Sequence, residues 1–342
     1  MLKTEKQAAV SLALVYAFRM IGLFMILPVF SLYASDYAGA TPILIGLSIG
    51  IYGLTQGLFQ LPFGFLSDRV GRKKMIILGL LLFVAGSMVA AMADSIHQII
   101  FGRALQGMGA IAAVVMALAA DLSREEVRMR VMASIGMSIG MAFMLSMILG
   151  PIFAANFGIS GIFWITSMLA LLSIFIILFI TPTPEKQSFH RDTQLSIGDI
   201  SKVLADRELL RLDLGVFVLH MVLAATFVLF PLILRDQLQI EVLQHWKTYL
   251  SVFIISIVIM VPMIIVAEKK RKMKPMFLVG ILVVGLAEVG LYLFNGYVPM
   301  FIMLVLFFAG FNFLEASMPS LVAKISPADM KGTAMGLFSS AQ

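Results

Sequence analysis

The chain has 342 residues, 61% of them apolar, against 25 Lys and Arg and 19 Asp and Glu. So little charge cannot cover that much apolar side chain in water, which excludes ordinary soluble, disordered and collagen-like classes and leaves a polytopic membrane protein. The absence of cysteine excludes disulfides, thiol catalysis and Cys-ligated metal sites.

A bilayer core of roughly 30 Å takes about 20 apolar residues of helix, and only helices or closed barrels satisfy the backbone in lipid. The apolar runs are too long for barrel strands. They predict ten spans, over 8–33, 43–66, 75–93, 97–120, 131–156, 161–181, 209–234, 247–267, 275–294 and 298–323, and the start of an eleventh near Gly332. From Lys331 to Gln342 the chain reaches about 18 Å as helix, short of a crossing. The first span carries Arg19 and Pro28 and has no small-residue cleavage site, so it is not a signal peptide.

Lys and Arg are retained on the cytoplasmic side, so their distribution sets the orientation. With the N-terminus inside, the inner face collects Lys3 and Lys6, the turn Arg69 to Lys74, then Arg124, Arg128 and Arg130, the five basic residues from Lys186 to Arg211, the turn Lys269 to Lys274, and Lys324 with Lys331. That is 21 of 25, with only Arg235 and Lys247 outside and Arg19 and Arg103 within spans. The net charge of +6 is therefore a topology signal, and no nucleic-acid partner is expected.

The chain also repeats itself. Leu27-Pro28 recurs as Phe230-Pro231, Asp121-Leu122-Ser123 matches Lys324-Ile325-Ser326, and Arg128 with Met132 matches Lys331 with Met335, all at an offset of 203. Two six-helix halves follow: residues 1–181 as an N-terminal bundle, 182–207 as a cytoplasmic linker, and 208–342 as a C-terminal bundle whose full repeat would end near residue 384. Ile197, Ile200, Val203, Leu204, Leu209 and Leu210 have the spacing of a short amphipathic helix on the membrane surface.

The turn between spans two and three reads Gly64-Phe65-Leu66-Ser67-Asp68-Arg69-Val70-Gly71-Arg72-Lys73-Lys74. Asp68 ends a helix, where a carboxylate is unfavourable unless a cation or another helix N-terminus meets it. Arg72 can bridge it to Asp121, which ends span four on the same face, and span eleven begins nearby at Lys331-Gly332. This turn resembles motif A of the major facilitator superfamily at every defining position. Arg103-Ala104-Leu105-Gln106-Gly107-Met108-Gly109 is similar to that family's motif B. Ser146 to Ala155, with Gly150 and Pro151, resembles motif C of its drug:proton antiporters, although Ser146, Ala154 and Ala155 stand where the pattern has glycines.

The resemblance implies an all-α polytopic membrane protein with the major facilitator fold: two pseudo-symmetric bundles, the second incomplete, with ten full transmembrane helices and the start of an eleventh. It implies a monomer in the bacterial cytoplasmic (inner) membrane, alternating access, and proton-driven efflux without a cofactor. It further implies that Asp68, Arg72 and Asp121 form a cytoplasmic cluster that holds the halves together in the outward-facing state.

Four charges lie deep inside spans, away from their ends: Arg19, Arg103, Glu288 and Glu315. Each costs at least roughly 2.5–3.5 kcal/mol at a helix centre if unpaired, so each is expected to pair or to face a water-filled cavity. A desolvated carboxylate is the easier to protonate. Glu315 and Glu288 are therefore the candidate proton carriers, with Arg19 and Arg103 as counter-charges and His220 a further titratable candidate. Tyr52, Gln56, Gln60 and Asn312 are candidates for the few polar contacts of an apolar cavity, whose walls 27 Phe and 25 Met can supply. Gly46, Gly50, Gly53 and Gly57 in span two, and Gly136 with Gly140 in span five, form stripes expected to let another helix approach closely. No catalytic, metal or nucleotide-binding constellation occurs. The expected activity is proton-coupled efflux of hydrophobic or amphipathic small molecules; the alternative is proton-coupled import of a nutrient such as a sugar or peptide.

Overall fold

The computed structural model describes residues 1–183, 197–327 and 330–342. Among them the order of helices is α1 (Lys3–Phe24), α2 (Phe30–Tyr33), α3 (Pro42–Val70), α4 (Arg72–Ala91), α5 (Ile96–Met108), α6 (Ala112–Asp121), α7 (Glu125–Phe175), α8 (Ile197–Ala205), α9 (Arg207–Leu232), α10 (His245–Lys269), α11 (Met273–Leu293), α12 (Tyr297–Ile325) and α13 (Lys331–Ala341). Their starts follow from sequence. Thr41 accepts from Leu44 N with Pro42 at the first position of α3, Ser95 and Gln98 form a capping box on α5, and Asp206 accepts from the first amides of α9.

Nine helices among the described residues are long and apolar enough to cross a membrane. The stretch Glu125–Ile180 has 56 residues, about 84 Å at 1.5 Å per residue and far more than one bilayer core. It breaks at Gly158, whose φ of 66° and ψ of −174° are open only to glycine. It therefore holds two crossings, and the nine helices carry the ten expected spans.

Three local departures have physical causes. Span four is not one helix: it stops at Met108 and restarts at Ala112, with Gly109 at a non-helical ψ of 52° and so close to α4 that an added Cβ would lie 2.2 Å from the Gly79 carbonyl. Span one breaks after Phe24, and Gly150 of α7 seats against that break, where a Cβ would lie 2.5 Å from Met25 O and 3.0 Å from Pro28 Cγ. The linker helix is shorter than its hydrophobic spacing suggested. Leu209 and Leu210 belong to the first turns of α9, since Asp206 caps that helix, while α8 buries Val203 and packs against α9 and α13. The rest of the expected linker, 184–196, lies outside the described residues.

Helices α1, α3, α4, α5 and α7 pack on one another, as do α10, α11 and α12. The two groups meet where α7 touches α10, α13 touches α3, and α2 touches α9. There Arg235 Nη1 donates to Leu32 O at 3.0 Å, and these two positions are 203 residues apart. Between the groups, the Phe143 ring of α7 lies 5.0 Å from Phe24, 5.7 Å from Phe253, and 6.2 Å from both Phe227 and Phe308. Edge-on and tilted ring pairs at these separations add directional attraction to apolar contact.

Candidate functional site

Gly71 turns the chain with φ 109°, outside the range of an L side chain, so the cation after it folds back over the helix that precedes it. Arg72 Nη1 pairs with Asp68 and donates to Ser67 Oγ at 2.6 Å, while its Nε reaches Asp121 Oδ2 at 3.3 Å. Ser67 Oγ in turn donates to Gly64 O at 2.6 Å. Arg69 points into solvent, and Lys73 donates to the Thr181 carbonyl at the end of the sixth span. The expected bridge from Asp68 through Arg72 to Asp121 is present.

On α3, Gly57 lies against α13: an added Cβ would be 2.6 Å from Ser340 O. As the second and eleventh spans, these helices run in opposite directions. Nine residues back from Ser340, the start of α13 is at the depth of about residue 66, within a turn of Asp68. The other stripe glycines depart from expectation. At Gly46, Gly50, Gly53, Gly136 and Gly140 a Cβ would meet nothing within 4 Å.

The motif B residues organise a buried polar group. Gly107 brings α5 onto α3, where a Cβ would lie 2.3 Å from Tyr52 O, and Thr55 Oγ1 donates across to Ala104 O at 3.0 Å. Arg103 donates from Nε to Ser48 O at 3.3 Å and from Nη1 to Gln106 Oε1 at 2.8 Å, and Gln106 donates to Ser87 Oγ at 2.7 Å. Arg19, with 0% exposure, donates from Nη2 to Gln56 Oε1 at 2.8 Å and to Gly109 O at 3.2 Å. That carbonyl lies in the break between α5 and α6 and accepts from Ile111 N at 3.0 Å as well. Tyr52 donates its hydroxyl to the same Gln56 oxygen at 2.8 Å. Its ring centroid is 4.6 Å from the Arg103 guanidinium and 5.9 Å from that of Arg19, distances at which a π face stabilises a cation. Gln60 is buried one turn further along α3.

The carboxylates lie elsewhere. Glu315 on α12 accepts from Gln342 Nε2, with His220 Nε2 of α9 at 3.8 Å, and His220 Nδ1 is 3.1 Å from Val216 O. Glu288 on α11 accepts from Thr226 Oγ1 of α9 at 2.9 Å. Asn312 is bound to Ser256 Oγ at 3.3 Å, away from Tyr52 and Gln56. The expected pairing of Arg19 and Arg103 with Glu288 and Glu315 does not occur. Both arginines are held by carbonyls, amides and rings of their own bundle, and both acids by neighbours on α9 and by Gln342 at the end of α13. Sequence reasoning passed over Asp213, an acid in the second turn of α9 with 9% exposure, although it falls within the span expected over 209–234. It also passed over Phe143, which nothing in the sequence separates from 26 other phenylalanines. Among the described residues no group of three His, Asp or Glu could hold a metal ion.

A family model described as Major Facilitator Superfamily matches residues 12–342. The inner membrane transport protein YajR of Escherichia coli (strain K12) is 46% identical over 341 residues, which is 99% of this chain and 74% of that protein. The multidrug resistance protein MdtH of Aeromonas salmonicida is 26% identical over 319 residues, 92% of this chain and 79% of MdtH. A solved bacterial homologue of the human lysosomal transporter Spinster, inward-facing and occupied, shares the fold with a TM-score of 0.78 at 14% identity, over 100% of this chain and 79% of that one.

Proposed function

The chain belongs to the major facilitator superfamily of membrane transporters, and from that membership we propose that it moves hydrophobic or amphipathic small molecules out of the cell in exchange for protons. Glu315 carries the reading. It sits inside a membrane-spanning helix beside an imidazole and an amide, with no Lys or Arg in ion-pair range among the described residues. No permanently charged cation among the described residues faces it there, so binding a proton removes the cost of carrying its charge between states. The similarity to MdtH, a multidrug resistance protein, supports outward transport, and the similarity to YajR, an inner membrane transport protein, supports a cytoplasmic-membrane setting.

Two bundles, 1–181 and 208–342, rock about their interface in a monomer with its N-terminus inside. The meeting of Arg235 with Leu32 supports a two-fold relation, because residues one repeat apart come together only near its axis. The cluster of Arg72, Asp68 and Asp121, with the start of α13 at the depth of Asp68, acts as a latch on the cytoplasmic side.

The test uses the full chain in proteoliposomes with an imposed pH gradient. Glu315→Gln is expected to abolish gradient-driven accumulation of substrate while substrate exchange without a gradient continues. Uphill movement by this variant would overturn the proton role of Glu315.

A further inference from the structure

The geometry points to Arg19 as the binding group for an anionic head on the transported molecule, so that the substrates are amphipathic anions such as sulfonates and not lipophilic cations. This rests on the transport reading above and names its substrate class. A guanidinium offers five N–H donors. The two on Arg19 Nη2 go to Gln56 Oε1 and Gly109 O. The three on Nε and Nη1 meet no acceptor among the described residues, although the side chain has 0% exposure. A buried charged donor without an acceptor is expensive, and an anion is the ligand that relieves it.

The surroundings leave the charge uncompensated. The first six spans contain Arg19 and Arg103 and not one Asp or Glu. Asp213, Glu288 and Glu315 all lie in later spans, and none is in ion-pair range of Arg19. Arg103 differs, since its Nε and Nη1 are both bound. The rings of Tyr52 and Phe83, with centroids 5.9 and 5.6 Å from the Arg19 guanidinium, lower the cost of the cation without neutralising it. A cationic substrate would meet two like charges here. The group is also held in place before any ligand arrives. Gly107 fixes α5 on α3, Tyr52 orients Gln56, and Gln56, which is partly exposed, connects Arg19 to the surface of the bundle.

The experiment measures exchange of a dansyl-labelled alkyl sulfonate, and of its trimethylammonium analogue, by the full chain in proteoliposomes without a pH gradient. The sulfonate is expected to exchange and the ammonium analogue not. Arg19→Gln should raise KM for the sulfonate about 10- to 100-fold, the scale of a charge-assisted hydrogen bond, and Arg19→Lys should fall between. If Arg19→Gln does not fold, Arg19→Lys and the comparison of the two probes on the unaltered protein still decide. Exchange of the ammonium analogue in preference to the sulfonate, or an unchanged KM in a folded Arg19→Gln, overturns the proposal. Exchange of the sulfonate that a pH gradient fails to drive would instead sink proton coupling and leave this proposal standing.

Discussion

Gly107→Ala and Gly53→Ala make the same chemical change and should move stability in opposite directions. At Gly107 the added Cβ would lie 2.0 Å from Thr55 Oγ1, 2.3 Å from Tyr52 O and 3.1 Å from Gln56 N. A hydroxyl can rotate away, but a helix carbonyl cannot, so α3 and α5 must part by about 1 Å to restore van der Waals contact in a close-packed interior. Overpacking of this kind costs about 1–3 kcal/mol, and the hydrogen bond from Thr55 to Ala104 is lost with it for about 1 kcal/mol more. At Gly53 the Cβ meets nothing within 4 Å, and alanine in a helix interior gains about 0.5–1 kcal/mol. Thermal unfolding in detergent, followed by the fluorescence of Trp164 and Trp246, should show a lower midpoint for Gly107→Ala and a midpoint at or above the parent for Gly53→Ala. A Gly107→Ala protein as stable as the parent would refute the close approach of α5 to α3, and with it the support beneath Tyr52 and Gln56.

Asp68→Asn removes the charge that Arg72 pairs across the cytoplasmic turn, between side chains of 12% and 21% exposure. A latch of about 1–3 kcal/mol shifts populations 5- to 150-fold, so a single cysteine introduced at Phe143, which lies between the two groups of helices, should label faster from the cytoplasmic side; the chain has no cysteine of its own to confuse the signal. Unchanged labelling from each side would count against the latch. Export of an anion against entry of one proton moves two charges through the membrane potential, about 2.3 kcal/mol each per 100 mV. Collapsing the potential with valinomycin and potassium should therefore slow export of the sulfonate. A rate indifferent to the potential would contradict an anion-for-proton exchange.

The spans, the turn at Gly71 and the bridge through Arg72 were legible because each follows from local sequence: apolar length, a glycine that alone tolerates the dihedral, and charges within a few residues or at matched helix ends. Contacts between distant helices were not. The stripe of Gly46, Gly50, Gly53 and Gly57 has the spacing for close approach, yet spacing fixes only which residues share a face, and three of the four face open space. Counting charges balanced Arg19 and Arg103 against Glu288 and Glu315, but a sum over the chain carries no information about which bundle holds which sign. The fold keeps them apart: cations sit behind α3, where Gly107 and the break at Gly109 supply carbonyls and amides to hold them, and acids sit among α9, α11 and α12. Internal Arg–Glu pairs would have cancelled both charges and left nothing for a ligand or a proton to compensate. Separation leaves Arg19 with unmet donors in one bundle and Glu315 without a fixed cation in the other, which is the arrangement that the proposed exchange of an anion for a proton calls for.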